Sequence, residues 1–237
     1  MIIQIILLAL GIIAASLFIV SKVVNYSFKT IVLKGVASLF FVALGIVCFC
    51  LNFEGYFFFK LFTVIGLFFG FLGDVFLGFK YVNEKNKKMW ILFGLFAFAI
   101  GHILYFSGLF IDFYEPGNAL PFVLSFGTPF ITILIYLVIS RKLGIHFEKK
   151  MLIFILFYLY CLFAMLSTSL YIGFLHGFSK VMLIMFFIGA VFFATSDFML
   201  AGSYFKDGER PKAYNAIYSV FYYAAQFIIA FSIFFLV

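Results

Sequence analysis

FKLFTVIGLFFGFLGDVFLGF, Phe59–Phe79, holds one lysine at its start and one aspartate, Asp74, near its end; every other position is apolar, small or Thr63. About 20 such residues suffice to cross the hydrocarbon of a bilayer as a helix. Asp74 is out of place there, because an ionised carboxylate at the centre of a membrane helix costs about 2.5–3.5 kcal/mol. The stretch therefore poses two questions: how many such spans the chain holds, and what compensates Asp74.

The whole chain answers the first. Of its 237 residues, 67% are hydrophobic and 11% charged, more apolar surface than the interior of a soluble domain can take up. Seven further runs resemble the first, giving spans at about Ile2–Val20, Ile31–Leu51, Phe59–Phe79, Met89–Phe110, Pro121–Ile139, Met151–Tyr171, Val181–Ala201 and Ala213–Val237. None alternates with period two, so a β-barrel is not expected. The reading is an all-α membrane protein, one eight-helix transmembrane domain over residues 1–237. The opening MIIQIILLAL has no basic n-region and no cleavage site follows, so it reads as a retained first span. Cys48, Cys50 and Cys161 lie inside apolar runs without disulfide or metal spacing. His102, His146 and His176 fall in a span and two different loops, so no metal is expected.

Charge sets the expected orientation. Of the 16 basic residues, all but Lys60 and Lys180 fall in the odd-numbered connections, counting Lys22, Lys29 and Lys34 with the first and Lys80 with the third. The positive-inside rule then places those connections in the cytoplasm and both termini outside. The net charge of +7 follows from topology and needs no nucleic-acid partner. The halves also echo one another: SKVVNYSFK (Ser21–Lys29) follows the first span and SRKLGIHFEK (Ser140–Lys149) the fifth, while GDVFLG (Gly73–Gly78) ends the third and SDFMLAG (Ser196–Gly202) the seventh. Two four-helix repeats in the same orientation would produce this pattern.

Of the nine acidic residues, Glu54, Glu84, Asp112, Glu115, Glu148, Asp207 and Glu209 read as solvated groups in connections or at span ends. Asp74 and Asp197 alone lie inside spans, each about 7–9 Å from the same end at 1.5 Å per residue. Gly66, Gly70, Asp74 and Gly78 share one helix side, and Ala190, Ala194, Asp197 and Ala201 make a comparable stripe. Both carboxylates should therefore point into the bundle. Other polar groups gather on two spans: His102 and Tyr105 in GHILYFSG, among glycines 94, 101 and 108, and Asn215, Ser219, Tyr222 and Gln226 as a stripe flanked by Tyr218 and Tyr223.

GDVFLGF with AIGHILYFSGLF, then ATSDFMLAGSYF with SVFYYAAQFII, resembles the YhhN-like family over nearly the whole chain. Characterised members of that family are lysoplasmalogenases. The resemblance implies eight helices, hydrolysis of the vinyl ether of a lysophospholipid to a fatty aldehyde and a glycerophospho-alcohol, and a catalytic role for Asp74 and Asp197. It also implies a bacterial inner membrane, membrane lipids as surroundings and no cofactor. The residues suit that chemistry. A vinyl ether is cleaved by protonation at carbon, and a carboxyl buried among apolar groups keeps a proton readily, while an ionised partner stabilises the cation. Asp74, in the more uniformly apolar run, is favoured as acid, with Ser196 supporting Asp197. Lys34 and the basic cytoplasmic connections are expected to hold the phosphate, and Tyr222, Tyr223 and Gln226 the glycerol, with His102 and Tyr105 nearby. Paired intramembrane carboxylates with a histidine equally describe a proton-coupled transporter, and a lipid-binding scaffold without catalysis is a third reading. Chain length, headgroup and oligomeric state are left open.

Overall fold

The computed structural model describes residues 1–115, 117–206, 208 and 210–235. It contains eight long helices: α1 Ile2–Val24, α2 Phe28–Leu51, α3 Phe57–Phe79, α4 Lys87–Phe113, α5 Ala119–Lys142, α6 Lys149–Leu175, α7 Val181–Phe205 and α8 Lys212–Ser232, with a short 3-10 turn, Ile233–Phe235, extending the last. All eight are long and apolar enough to cross a membrane, so the chain is an integral multi-pass membrane protein. In lipid a helix satisfies every backbone donor and acceptor within itself, which is why unbroken apolar runs take this form. No strand occurs among the described residues; one isolated antiparallel bridge joins Ile145 to Lys206. Asp207 and Glu209, read from sequence as solvated, and the end of the last span at 236–237 lie outside the described residues.

Most helices outrun their apolar spans by up to a turn, because hydropathy stops at the first charge whereas backbone hydrogen bonding does not. This corrects the placement of several lysines. Lys22 belongs to the last turn of α1, Lys34 lies a turn and a half inside α2, and Lys60 is in the first turn of α3. Lys60 is fully buried; its ammonium donates to the carbonyls of Asn52 and Glu54, each at 2.5 Å, closing the open end of α2. Asp112 is likewise no free surface charge, since its Oδ2 accepts from the Phe59 amide at 2.7 Å and caps the start of α3.

The centre of the bundle is made by α6 and α8, whose spans are 61% buried, whereas α1 and α5 are 28% and 22% buried and lie at the periphery. The neighbours repeat between halves: α1 packs on α2 as α5 on α6, α2 on α3 as α6 on α7, and α3 on α4 as α7 on α8. The tightest seam is α3 against α4. A Cβ on Gly101 would stand 3.1 Å from the Gly66 carbonyl oxygen, and one on Gly108 would stand 2.9 Å from the Phe59 Cα and 3.2 Å from the Phe58 carbonyl oxygen. Backbone cannot yield as a side-chain tip can. Gly108→Ala is therefore expected to lower stability by about 1–3 kcal/mol. Gly127→Ala in α5, with nothing within 4 Å of the added carbon, should leave it unchanged or slightly raised. Thermal unfolding of both variants in detergent checks the pair.

Candidate active site

The small-residue face of α3 is what admits polar neighbours to Asp74. At Gly66 the ring of Tyr105 occupies the space a Cβ would take, and at Gly70 the Gln226 amide does. Asp74, 1% exposed, is gripped from two other helices. Lys34 of α2 places Nζ 2.8 Å from Oδ1. Tyr222 of α8 donates to Oδ2 at 2.7 Å. The Ser38 hydroxyl lies 2.5 Å from Oδ2 and 2.9 Å from the Lys34 carbonyl; its single proton goes to the carboxylate, the stronger acceptor.

Behind these contacts runs an oriented chain. The Tyr105 hydroxyl donates to Gln226 Oε1 at 3.2 Å, and Gln226 Nε2 donates to the Tyr222 oxygen at 3.1 Å. Each donor points towards Asp74, and the chain ends on its Oδ2 as acceptor. One cation and two hydroxyl donors on its two oxygens are the surroundings of an ionised carboxylate, and this answers what compensates Asp74 in lipid.

Asp197 on α7 is held differently. Its Oδ2 accepts from the Tyr158 hydroxyl of α6, and Tyr158 in turn lies 3.4 Å from His102 Nε2 of α4. No cation and no second donor reaches Asp197 among the described residues. His102 is 1% exposed and its Nδ1 has no partner. Ser196 does not serve Asp197; its hydroxyl donates to the Tyr218 carbonyl of α8 at 2.9 Å.

Asp74 and Asp197 line one cavity of about 970 Å³, counting the space at its mouth. Lys34, Ser196, Tyr222 and Tyr223 also line it, whereas His102, Tyr105 and Gln226 stand behind the wall. The Tyr223 hydroxyl donates to the Lys34 carbonyl at 3.3 Å. Lys34, read from sequence as a phosphate holder, has its ammonium committed to Asp74. Tyr158 and Ser38 are absent from the sequence reading, and Lys22, counted there with the basic residues of the first connection, lines the cavity from α1. Among the described residues no three His, Cys, Asp or Glu side chains converge as metal ligands.

Eight spanning helices around a cavity lined by two carboxylates define a polytopic membrane protein with acidic groups inside its bundle. The chain belongs to the YhhN family, whose model matches residues 30–233, a region that includes both aspartates and all of the described residues of α3 to α8. No curated protein and no solved structure matches the chain.

Proposed function

We propose that the protein is a hydrolase of the lysoplasmalogenase type, cleaving the vinyl ether of a single-chain phospholipid within the bilayer. The observation that carries this reading is the unlike support of two carboxylates on one cavity: Asp74 with Lys34, Ser38 and Tyr222, Asp197 with Tyr158 alone. A pair so differentiated can divide the roles of proton donor and fixed anion. The sequence reading favoured Asp74 as acid; the Lys34 ion pair reverses that preference, and Asp197, with no cation beside it, is fitted to carry the proton.

In this mechanism the Asp197 carboxyl transfers its proton to the vinyl carbon remote from oxygen, and the electron pair of the double bond forms the new C–H bond. The resulting oxocarbenium ion lies beside the ionised Asp74, which needs no rearrangement to stabilise it. Water adds to the cationic carbon and gives up a proton to Asp197. The hemiacetal then breaks its C–O bond as its hydroxyl proton passes to the leaving oxygen, releasing aldehyde and a glycerophospho-alcohol and leaving Asp197 protonated for the next turnover. No cofactor is called for. Tyr158 is a positioning residue: it holds Asp197 and connects it to His102, and its hydroxyl donates to Asp197 when the carboxyl is ionised and can accept from it when the carboxyl is protonated. Tyr158→Phe is expected to lower kcat about a hundredfold, within the range of general acid–base effects, with little change in KM or in thermal stability.

Purified protein in detergent, supplied with a lysoplasmalogen, should release fatty aldehyde. No aldehyde, together with proton-driven solute flux in proteoliposomes, would replace this reading with the transporter. The orientation follows the lysines: the end bearing Lys22, Lys34, Lys80 and Lys88 is assigned to the cytoplasm and both termini to the outside. In a Cys50→Ser background, a cysteine at Asn86 should be shielded from an impermeant thiol reagent in intact cells, and ready labelling would invert the assignment.

A further inference from the structure

One end of the cavity holds more positive charge than the carboxylates use. Lys22 lines it from α1 and Lys34 from α2, and Lys80, at the C-terminal cap of α3, stands behind the wall that Tyr81 and Tyr204 make. Lys34 is matched by Asp74. Lys22 meets only neutral acceptors: the hydroxyls of Tyr218 at 2.7 Å and Ser219 at 2.8 Å, and the Asn215 carbonyl at 3.4 Å. Lys80 is 3% exposed, and its ammonium lies over the rings of Tyr81 and Tyr204. Among the described residues it has neither a hydrogen-bond acceptor nor a carboxylate partner. Burial first, and then the ammonium groups of Lys22, Lys34 and Lys87, hold Lys80 well below the ordinary lysine range. An ammonium group on the cavity wall without a counter-charge is costly, and the arrangement around Lys22 lacks an anion.

The same end is rich in hydroxyl donors. Tyr26, Tyr81, Tyr204 and Tyr218 line it. The rings of Tyr26 and Tyr81 meet with centroids 4.0 Å apart, where the α1–α2 and α3–α4 connections come together at the surface, and Tyr81 is 40% exposed. Further in, the wall turns apolar through Leu77, Leu95, Phe98 and Leu159.

We infer that the lysine–tyrosine end of the cavity is a phosphate seat, taking the phosphodiester of a single-chain phospholipid with Lys22 as counter-charge and the tyrosine hydroxyls as donors. The inference rests on the proposed function only for the identity of the lipid; the anion chemistry stands without it. Polar mouth and apolar interior together fit an amphiphile, whereas a free phosphate would have no use for the apolar wall. The register agrees. Asp74 lies six residues before Lys80 on α3, about 9 Å at 1.5 Å per residue, and the glycerol carbons and ether oxygen occupy a comparable interval between phosphate and vinyl carbon. Lys22 lies outside the residues matched by the family model, so its part rests on this structure alone.

The test uses the full chain in detergent and a probe that cannot be turned over, 1-acyl-lysophosphatidylethanolamine. Thermal stabilisation by this lipid is titrated against that by a monoacylglycerol of the same chain, by glycerophosphoethanolamine and by inorganic phosphate. The lysophospholipid should bind about tenfold more tightly than the monoacylglycerol, as expected for one charge-assisted contact. Lys22→Gln should remove most of that preference, and Lys22→Arg should keep it. The wild-type comparison serves if Lys22→Gln fails to fold. Equal binding of the two lipids by the wild type, or a preference that survives in Lys22→Gln, would overturn the seat. Inorganic phosphate binding as tightly as the lysophospholipid would overturn its assignment to a lipid. If lysoplasmalogen yields no aldehyde while the preference persists, the seat stands and the hydrolase reading falls.

Discussion

Asp197→Asn is expected to reduce aldehyde release from lysoplasmalogen about a thousandfold or more while leaving the fold intact. The amide has the shape of the carboxyl it replaces. Its oxygen can still accept from the Tyr158 hydroxyl, the one contact Asp197 makes. What is lost is the transferable proton, and general acid–base groups contribute about 10²–10⁴ in rate; a group that both gives the proton to carbon and takes one back from water belongs at the upper part of that range. The thermal midpoint should move little, since no buried charge is left unpaired. Asp74→Asn should be as damaging to turnover for another reason, the loss of a fixed anion beside the oxocarbenium ion. Aldehyde release that survives Asp197→Asn would sink the acid assignment, and release that survives both would sink the two-carboxylate mechanism.

Much of the scaffold was legible because lipid imposes a simple rule. A run of about 20 apolar residues must be a helix, and a charge inside it must face protein. Asp74 and Asp197 stood out on that ground, and the glycine side of α3 gave the direction in which Asp74 points. The partners of the carboxylates were not legible in the same way. Tyr158 sits in FYLYC, among apolar and aromatic neighbours on a helix whose buried face has no periodic mark, and only the packing of α6 on α7 brings it to Asp197. Ser38 is one small residue among several on α2.

Lys22 and Lys80 were readable in principle. Gly11, Ala15, Phe18 and Lys22 fall on one side of α1, and the first three are buried; Gly66, Gly70, Gly73 and Leu77 lead down α3 to Lys80 and are buried too. A lysine that continues a packing face is directed at the bundle. Counting both as topological charges, by position in the chain and not by helix face, hid them. The echo between the halves acquires physical content in the same way. Each aspartate is gripped by the helix that precedes its own in its half, Asp74 by Lys34 of α2 and Asp197 by Tyr158 of α6. One grip carries a charge and the other does not, and that difference is what divides the proposed roles.

The Lys34–Asp74 pair supplies the second large effect. Lys34→Met should lower stability by about 3 kcal/mol, because removing one partner of a buried ion pair leaves the other uncompensated. Asp74 is 2% exposed at its side chain, with only the Ser38 and Tyr222 hydroxyls left to it. Asp74→Asn should cost less, about 1 kcal/mol, since Lys34 is 13% exposed and its flexible stem can carry the ammonium towards the cavity mouth. The double variant Lys34→Met with Asp74→Asn should return close to wild-type stability, because replacing a buried pair by neutral groups is often without cost. The non-additivity, about 2–4 kcal/mol read from a double-mutant cycle, measures the coupling. Turnover should behave otherwise and stay lost in Asp74→Asn and in the double variant, since restored packing does not restore the anion. Unfolding midpoints in detergent and aldehyde release, measured on the same preparations, separate the two effects. Lys34→Met as stable as the wild type would show that the pair does not hold α2 against α3. Turnover recovered in the double variant would show that the charge of Asp74 is dispensable to the chemistry.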